Sequence, residues 1–150
     1  MKPLPKPELV ECGTPVTDAD VAALERFLGT RLPVAYRSFL ARYNGGKPIK
    51  PTFHVATHPE GSLELELFFG LTRDEAAANL EWNYRKHRTA LGKHLLPIGR
   101  TATNDMLALG LTGEKRDWVL FYDAIEEDPK ARLHTVTESF VALMASLTPT

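Results

Sequence analysis

Apolar residues near the start of the chain recur three or four positions apart, which is the spacing of one face of a helix. Two such sets follow each other: Val21, Leu24, Phe27 and Leu28, then Tyr36, Phe39, Leu40 and Tyr43. Thr17 and Asp20 have the spacing of a capping box, so we expect the first helix to begin there and to end at Gly29. The second helix is expected to begin near Pro33 and to end at the turn-forming residues 44–46.

After residue 51 the apolar positions alternate with polar ones. This pattern predicts two strands, around 52–57 and 63–69, separated by a turn-like segment that contains a proline and a glycine. Strands joined by so short a segment pair in antiparallel fashion, with one face buried and the other in solvent.

The second half of the chain combines a helix, several short strands and a final helix. Thr72 and Glu75 form another capping-box pair, which predicts a helix over residues 73–90. Strands are predicted at 95–99, 106–109, 118–122 and 133–136. Thr137 is expected to cap the last helix.

These elements predict a fold of the α+β class, with a mostly antiparallel sheet packed against N-terminal, middle and C-terminal helices. We expect a single domain over residues 17–148, preceded by a proline-rich lead over residues 1–16. The lead has no apolar run of the kind that a secretory signal contains.

The charge balance and the cysteine count restrict the partners and the compartment. Lys and Arg number 18 and Asp and Glu number 19, giving a formal net charge of −1, so we expect no direct binding to nucleic acid. The only cysteine, Cys12, allows no intramolecular disulfide, which fits a cytoplasmic location. No run of about 18 apolar residues is present, so we expect no membrane-spanning helix.

The segment 24–48 carries a motif in which residue types and spacing agree. An amphipathic helix is followed by Leu-Pro, an aromatic residue three positions on, Phe-Leu, and Asn-Gly-Gly with a proline close behind. The matching residues are Leu32, Pro33, Tyr36, Phe39, Leu40, Asn44, Gly45, Gly46 and Pro48. This motif resembles the N-terminal signature of the SUKH superfamily, which includes fungal Smi/Knr cell-wall assembly regulators and bacterial immunity proteins that neutralise polymorphic toxins.

After this signature the resemblance continues more weakly, through the segments 68–71, 96–99 and 139–140, so that in all it covers about residues 17–148. The turn at residues 100–105 departs from the family pattern. The signature residues are interpreted as structural, because they are apolar residues for a core and prolines and glycines for a helix start and a turn. Binding specificity is therefore expected on surface loops and on the exposed face of the sheet.

The residue patterns of enzymes and metal sites are missing from the sequence. His54 and His58 are four positions apart, but their neighbours predict a strand and a turn, and no HExxH pattern is present. The serines fall in no GxSxG pattern, the glycines form no phosphate-binding loop, and Cys12 precedes the predicted domain. We expect no catalytic, cofactor-binding or metal-binding residue, and a small hydrolase or nucleotide-binding enzyme is a poorly motivated alternative.

Acidic residues concentrate in the predicted hairpin and in a later loop. The candidate partner-binding residues are Glu64, Glu66, Asp123, Glu126, Glu127 and Asp128. Such groups most often form only a solvated surface, but complementary charge would speed and direct binding to a basic groove. Aromatic residues such as Trp82 could anchor an interface, whereas Trp118 and Phe121 lie in an apolar strand and are expected in the core.

The resemblance and the acidic residues lead to one functional hypothesis and one alternative. The first is an immunity protein that binds and neutralises a cognate toxin domain, such as a nuclease or deaminase, through protein–protein contacts alone. The alternative is an intracellular regulatory or scaffold domain of the Smi/Knr type that binds endogenous proteins. In either case we expect a cytoplasmic monomer or weak dimer without a cofactor.

Overall fold

The computed structural model describes residues 8–150, which contain four α-helices and eight strands. The helices are α1 (Asp18–Leu28), α2 (Val34–Tyr43), α3 (Leu80–Leu91) and α4 (Phe140–Ser146). The strands are β1 (Leu9–Val10), β2 (Lys47–Pro48), β3 (Thr52–His54), β4 (Ser62–Phe68), β5 (Leu95–Thr101), β6 (Met106–Gly110), β7 (Val119–Tyr122) and β8 (Leu133–Thr137).

Strands β3 to β8 form one six-stranded sheet in which each strand pairs antiparallel with the next along the chain. Leu107 of β6, for example, lies opposite Phe121 of β7. After α4 the chain returns to β3, where Thr52 and Thr148 exchange two backbone hydrogen bonds of 3.0 Å each. The predicted α+β class and the mostly antiparallel sheet are confirmed.

The first two helices begin and end where the sequence predicts. The Thr17 N–H donates to Asp20 Oδ2 at 3.1 Å, and the Asp20 N–H donates to Thr17 Oγ1 at 3.2 Å, which completes the capping box. Gly29 ends α1 with a φ of 77°, in the left-handed region that glycine adopts without strain. Pro33 immediately precedes α2, and Asn44 ends it in the same left-handed region.

The third helix begins later than predicted, so the expected range of 73–90 is wrong at its start. Thr72 has a φ of 53°, which is incompatible with the extended backbone of an N-cap residue. Asn79 accounts for the difference, because its Oδ1 accepts from the Arg73 N–H at 2.7 Å and its Nδ2 donates to the Arg73 carbonyl at 3.0 Å. The chain between them forms a 3₁₀ turn, Ala76–Ala78, and α3 follows it.

The last helix is capped by a different residue from the predicted Thr137. The Ser139 hydroxyl accepts from the Ala142 N–H at 3.0 Å and is the N-cap of α4. Thr137 is instead the last residue of β8, and its hydroxyl donates to the Ser139 carbonyl at 2.8 Å.

The described part of the predicted lead contacts the rest of the molecule. Strand β1 pairs antiparallel with β2, and the Val16 N–H donates to the Ala41 carbonyl of α2 at 3.2 Å. Residues 1–7 of the lead lie outside the described residues. The boundary at residue 16 stays a prediction.

An aromatic cluster packs α2 and α4 against the sheet. The rings of Tyr36 and Phe140 meet edge to face with centroids 5.1 Å apart, and Phe39 meets Phe68 of β4 at 5.1 Å. The signature residues predicted for the core, Leu32, Phe39 and Leu40, are all buried.

The two aromatic residues predicted for the core, Phe121 in β7 and Trp118 just before it, differ in their burial. Phe121 is fully buried, as expected. Trp118 is only partly buried and packs against a second, small apolar cluster of Leu95, Ala108 and Leu120. The expectation is thus confirmed for Phe121 and holds only in part for Trp118.

Candidate binding surface

The signature residue Asn44 connects three segments of the chain through its buried side chain. Its Nδ2 donates to the Thr14 carbonyl at 3.0 Å and to the Leu71 carbonyl at 2.7 Å, and its Oδ1 accepts from the Leu71 N–H at 2.5 Å. Its own carbonyl accepts from the Arg73 guanidinium at 2.7 Å. All polar groups of this amide are used within the protein, so Asn44 has a structural role.

The glycine after Asn44 is required by a close backbone approach. Gly45 has a φ of 84°, and a Cβ placed on it would lie 2.7 Å from the Phe68 carbonyl oxygen. Any side chain at this position would therefore both strain the backbone and displace β4. The interpretation of the Asn-Gly-Gly motif as structural agrees with these contacts.

The acidic residues of β4 alternate with buried leucines, as the sequence predicts. Glu64 and Glu66 are exposed, whereas Leu65 and Leu67 are buried. Arg100 of β5 donates to Glu66 at 3.1 Å, so part of the Glu66 charge is neutralised. Within residues 8–150, no ion pair involves Glu64.

The second acidic group lies in the loop between β7 and β8. We call residues 123–128 the acidic loop. Asp123, its first residue, is buried, and its Oδ2 lies 2.9 Å from His58 Nε2. Its Oδ1 accepts from the Ile125 N–H at 3.2 Å. Both oxygens of Asp123 thus make contacts inside the protein.

His58 fixes the acidic loop to the turn between β3 and β4. Its Nδ1 accepts from the Glu60 N–H at 3.1 Å, so its Nε2 carries the hydrogen that is donated to Asp123. The His58 ring also meets the His134 ring of β8 edge to face at 5.2 Å, and His134 Nδ1 lies 2.7 Å from Thr57 Oγ1. The turn and the loop are therefore held together by side chains distant in sequence.

Further hydrogen bonds hold the middle of the acidic loop. The Arg132 guanidinium donates from Nε to the Glu126 carbonyl at 2.6 Å, and Asp128 Oδ1 accepts from the Lys130 N–H at 3.0 Å. Ile125, immediately before these contacts, is 84% exposed. The loop consequently presents an apolar side chain beside carboxylates on a backbone held in place by several bonds.

The structure brings together only some of the predicted partner-binding residues. Four of them lie in the acidic loop: Asp123, Glu126, Glu127 and Asp128. Within residues 8–150, no hydrogen bond or ion pair joins Glu64 or Glu66 to that loop. Sequence reasoning missed Ile125, although a lone isoleucine in a run of acidic residues is a usable signal. It also missed His58 and Arg132, whose partners cannot be read from local pattern.

The candidate chemistry of the remaining side chains is limited. Among residues 8–150, no group of three or more His, Cys, Asp or Glu side chains is arranged to hold a metal ion. Partial burial raises the pKa of the Cys12 thiol, which the nearby Arg73 opposes only in part, so the reactive thiolate is disfavoured. No helix in the described residues is long and apolar enough to cross a membrane.

A family model matches most of the chain. The model of the SMI1 / KNR4 family (SUKH-1) matches residues 15–146, which include the signature motif and every strand of the six-stranded sheet. A search of curated proteins finds no match. Because the family model covers most of the chain and the Asn-Gly-Gly motif has a structural role in the fold, the chain belongs to the SMI1/KNR4 family (SUKH-1).

Proposed function

We propose that the protein is an immunity protein that binds and neutralises a cognate toxin domain, without catalysis or a cofactor, in the cytoplasm and as a monomer or weak dimer. The observation that supports this most is the acidic loop, where the exposed Ile125 lies beside Glu126, Glu127 and Asp128. The toxin surface that fits such a loop is a basic groove with an apolar pocket, as in a nuclease or deaminase domain.

The rigidity of the acidic loop favours tight binding. Association costs free energy for every side chain and loop that must be ordered at the interface. The hydrogen bonds of Asp123, Asp128 and Arg132 order this loop in the free protein. In this proposal Asp123 positions the loop, while Glu127 and Asp128 contact the toxin.

The acidic residues of β4 have a secondary place in the proposal. Glu64 has no ion pair within residues 8–150 and can meet a cation of the toxin. Glu66 would first have to exchange its contact with Arg100. Both carboxylates add long-range attraction to a basic partner, and this attraction raises the association rate more than the affinity.

The experiment is co-expression with the toxin domain encoded beside the gene. The wild-type chain should protect the cells and bind the toxin, more weakly at high salt. Ile125→Ala should lower the affinity about tenfold, because truncation removes an anchor from the centre of the interface. Glu127→Lys should slow association, and Glu114→Lys, which changes an exposed acid on another loop, serves as control.

Two outcomes would count against this proposal. One is full protection by a folded variant in which Glu64, Glu66, Glu126 and Glu127 are all reversed to lysine. The other is equal loss of affinity in the Glu114→Lys control, which would mean that total charge, and not the acidic loop, governs binding.

A regulatory or scaffold role is the alternative, and α3 provides an observation in its favour. Arg85, Lys86 and Arg88 each lie over an aromatic ring, at 4.7, 4.7 and 5.8 Å from the ring centroids. Glu81 pairs with Arg85 at 3.0 Å, so the net positive charge of this surface comes from Lys86 and Arg88. The surface is opposite in sign to the acidic loop, and a domain with two such surfaces suits the bridging of two endogenous proteins. Growth defects on gene deletion in cells without the toxin would favour this role.

A further inference from the structure

Two adjoining depressions form one groove between α1 and α3. They have volumes of about 350 and 330 Å³, and both are lined by Leu71, Thr72 and Glu81, so they are continuous. The first also borders α1, and the second extends to Trp82. We call this feature the α1–α3 groove.

The α1–α3 groove is lined by both apolar and polar side chains, and its apolar part is well packed. Leu24 is buried beneath it, and Phe27 meets Tyr84 of α3 edge to face at 5.7 Å. Trp82, at the far end, is 38% exposed and is the more exposed of the two tryptophans. Aromatic residues and arginine dominate the binding energy of protein interfaces, and this groove contains both.

The charges along the α1–α3 groove are arranged in a definite order. In its middle, Glu81 and Arg85 neutralise each other at 3.0 Å, and the Arg85 guanidinium lies over the Phe27 ring. At the α1 end, Asp20 accepts only the Thr17 N–H of the capping box, and no cation within residues 8–150 pairs with it.

The opposite end of the groove carries an uncompensated positive charge. The Lys86 ammonium lies 4.7 Å from the centroid of the Trp82 ring, and no carboxylate within residues 8–150 pairs with it. The groove is therefore negative at α1, neutral in its middle, where the Glu81–Arg85 pair lies beside Leu71, and positive beyond Trp82.

We propose that the α1–α3 groove binds a short segment of a partner protein whose sequence places an apolar residue between a basic and an acidic one. The apolar side chain would pack on Leu71 and Trp82, the basic one would pair with Asp20, and the acidic one with Lys86. A nucleic acid or an anionic membrane does not fit, because Asp20 would repel either. This surface is built from different elements than the acidic loop, so it adds a second binding event to the proposed function.

The test uses a displayed library of random short peptides selected on the immobilised full chain. Recovered peptides should share an apolar residue with a basic residue on one side and an acidic residue on the other. They should bind Trp82→Ala at least tenfold more weakly than wild type. Asp20→Asn, which keeps the capping acceptor, and Lys86→Gln should each weaken binding about two- to fivefold, as exposed ion pairs do.

Two control variants and one spectroscopic measurement complete the test. Ile49→Ala truncates an exposed apolar side chain outside the groove, and Glu138→Gln removes an exposed carboxylate, so both should bind as wild type does. In the wild-type chain, added peptide should shift the backbone amide resonances of Leu71 and Thr72. Failure to recover any peptide, undiminished binding to Trp82→Ala, or shifts confined to other residues would each overturn the proposal, whatever the toxin experiment shows.

Discussion

The side-chain amide of Asn44 hydrogen bonds to both backbone groups of Leu71, with its Oδ1 accepting at 2.5 Å and its Nδ2 donating at 2.7 Å. The Asn44 side chain thus makes the pair of backbone hydrogen bonds that a neighbouring strand would otherwise make with Leu71. Because the same Nδ2 also binds the Thr14 carbonyl, one residue joins α2, the segment before α1 and the segment after β4.

The substitution Asn44→Asp should therefore destabilise the protein by about 3 kcal/mol or more, because a buried carboxylate would face two carbonyl oxygens without a donor between them. Urea unfolding measures the loss. Asn104→Asp is the matched control, since Asn104 is exposed and also has a left-handed backbone with a φ of 64°. A similar loss in both variants would show that the backbone conformation, and not the amide contacts, sets the effect.

Tyr36→Phe should leave stability unchanged or raise it by about 1 kcal/mol. The Tyr36 hydroxyl is buried without a hydrogen-bond partner among residues 8–150, and burial raises the pKa of this phenol far above its ordinary value. Tyr84→Phe is the contrasting variant, because the Tyr84 hydroxyl donates to the Lys93 carbonyl at 2.9 Å. It should cost about 1 kcal/mol in the same unfolding measurement. Destabilisation by Tyr36→Phe would contradict the expectation and indicate a bound water at the hydroxyl.

Asp117→Asn should stabilise the protein at neutral pH and lose this advantage in acid. Burial raises the pKa of Asp117, although its carboxylate accepts from the Phe140 N–H and lies near Arg116. Because the pKa of Asp117 is raised in the folded state, Asp117 contributes favourably to the stability of the wild type below its unfolded-state pKa. This contribution is lost as the pH rises through the folded-state pKa. The gain should stay below about 1 kcal/mol because the group is partly exposed.

The measurement for Asp117→Asn is the difference in unfolding free energy from wild type at about pH 7 and about pH 4. The difference should shrink at the lower pH. Asn also tolerates the left-handed φ of 71° at this position, so the backbone is not a confounding cause. A difference that is the same at both pH values would rule out titration of Asp117 as its origin.

His58→Gln should loosen the acidic loop without unfolding the sheet. The substitution removes the hydrogen bond between His58 and Asp123, which are both largely buried. A loss of about 1.4 kcal/mol from this bond would raise the equilibrium constant for opening of the loop about tenfold. Hydrogen exchange of the amides of Ala124 and Ile125 should accelerate about tenfold, while those of β6 keep their rates. His54→Gln is the control, because His54 is exposed and, among residues 8–150, its side chain hydrogen bonds only with Ser62. Equal acceleration in both variants would refute the positioning role of His58.

Local patterns were sufficient to predict most elements of this fold. The capping box at Thr17 and Asp20 and the alternation of Glu64 and Glu66 with buried leucines are properties of neighbouring residues, so periodicity and side-chain type reveal them. The family signature could be interpreted as structural for the same reason. The start of α3 could not be predicted, because Asn79 bonds the backbone of Arg73 in place of continuing a helix.

The candidate binding surface was less predictable because its geometry depends on contacts between distant residues. His58 and Asp123 are separated by 65 positions, and Arg100 and Glu66 by 34. No pattern along the chain distinguishes an acid that such contacts occupy from one that is available to a partner. The acidic residues could be named from the sequence, but their separate roles required the fold.

The backbone pairing of Thr52 with Thr148 has a consequence for biosynthesis. Every strand of the six-stranded sheet pairs with its sequence neighbour, so hairpins can form one after another as the nascent chain emerges from the ribosome. Thr52 lies in the first strand of this sheet and Thr148 follows its last strand in the sequence, so their pairing must wait until Thr148 has left the exit tunnel. Co-translational folding can therefore assemble the sheet stepwise, but it completes the contact between β3 and the segment after α4 only in the last step.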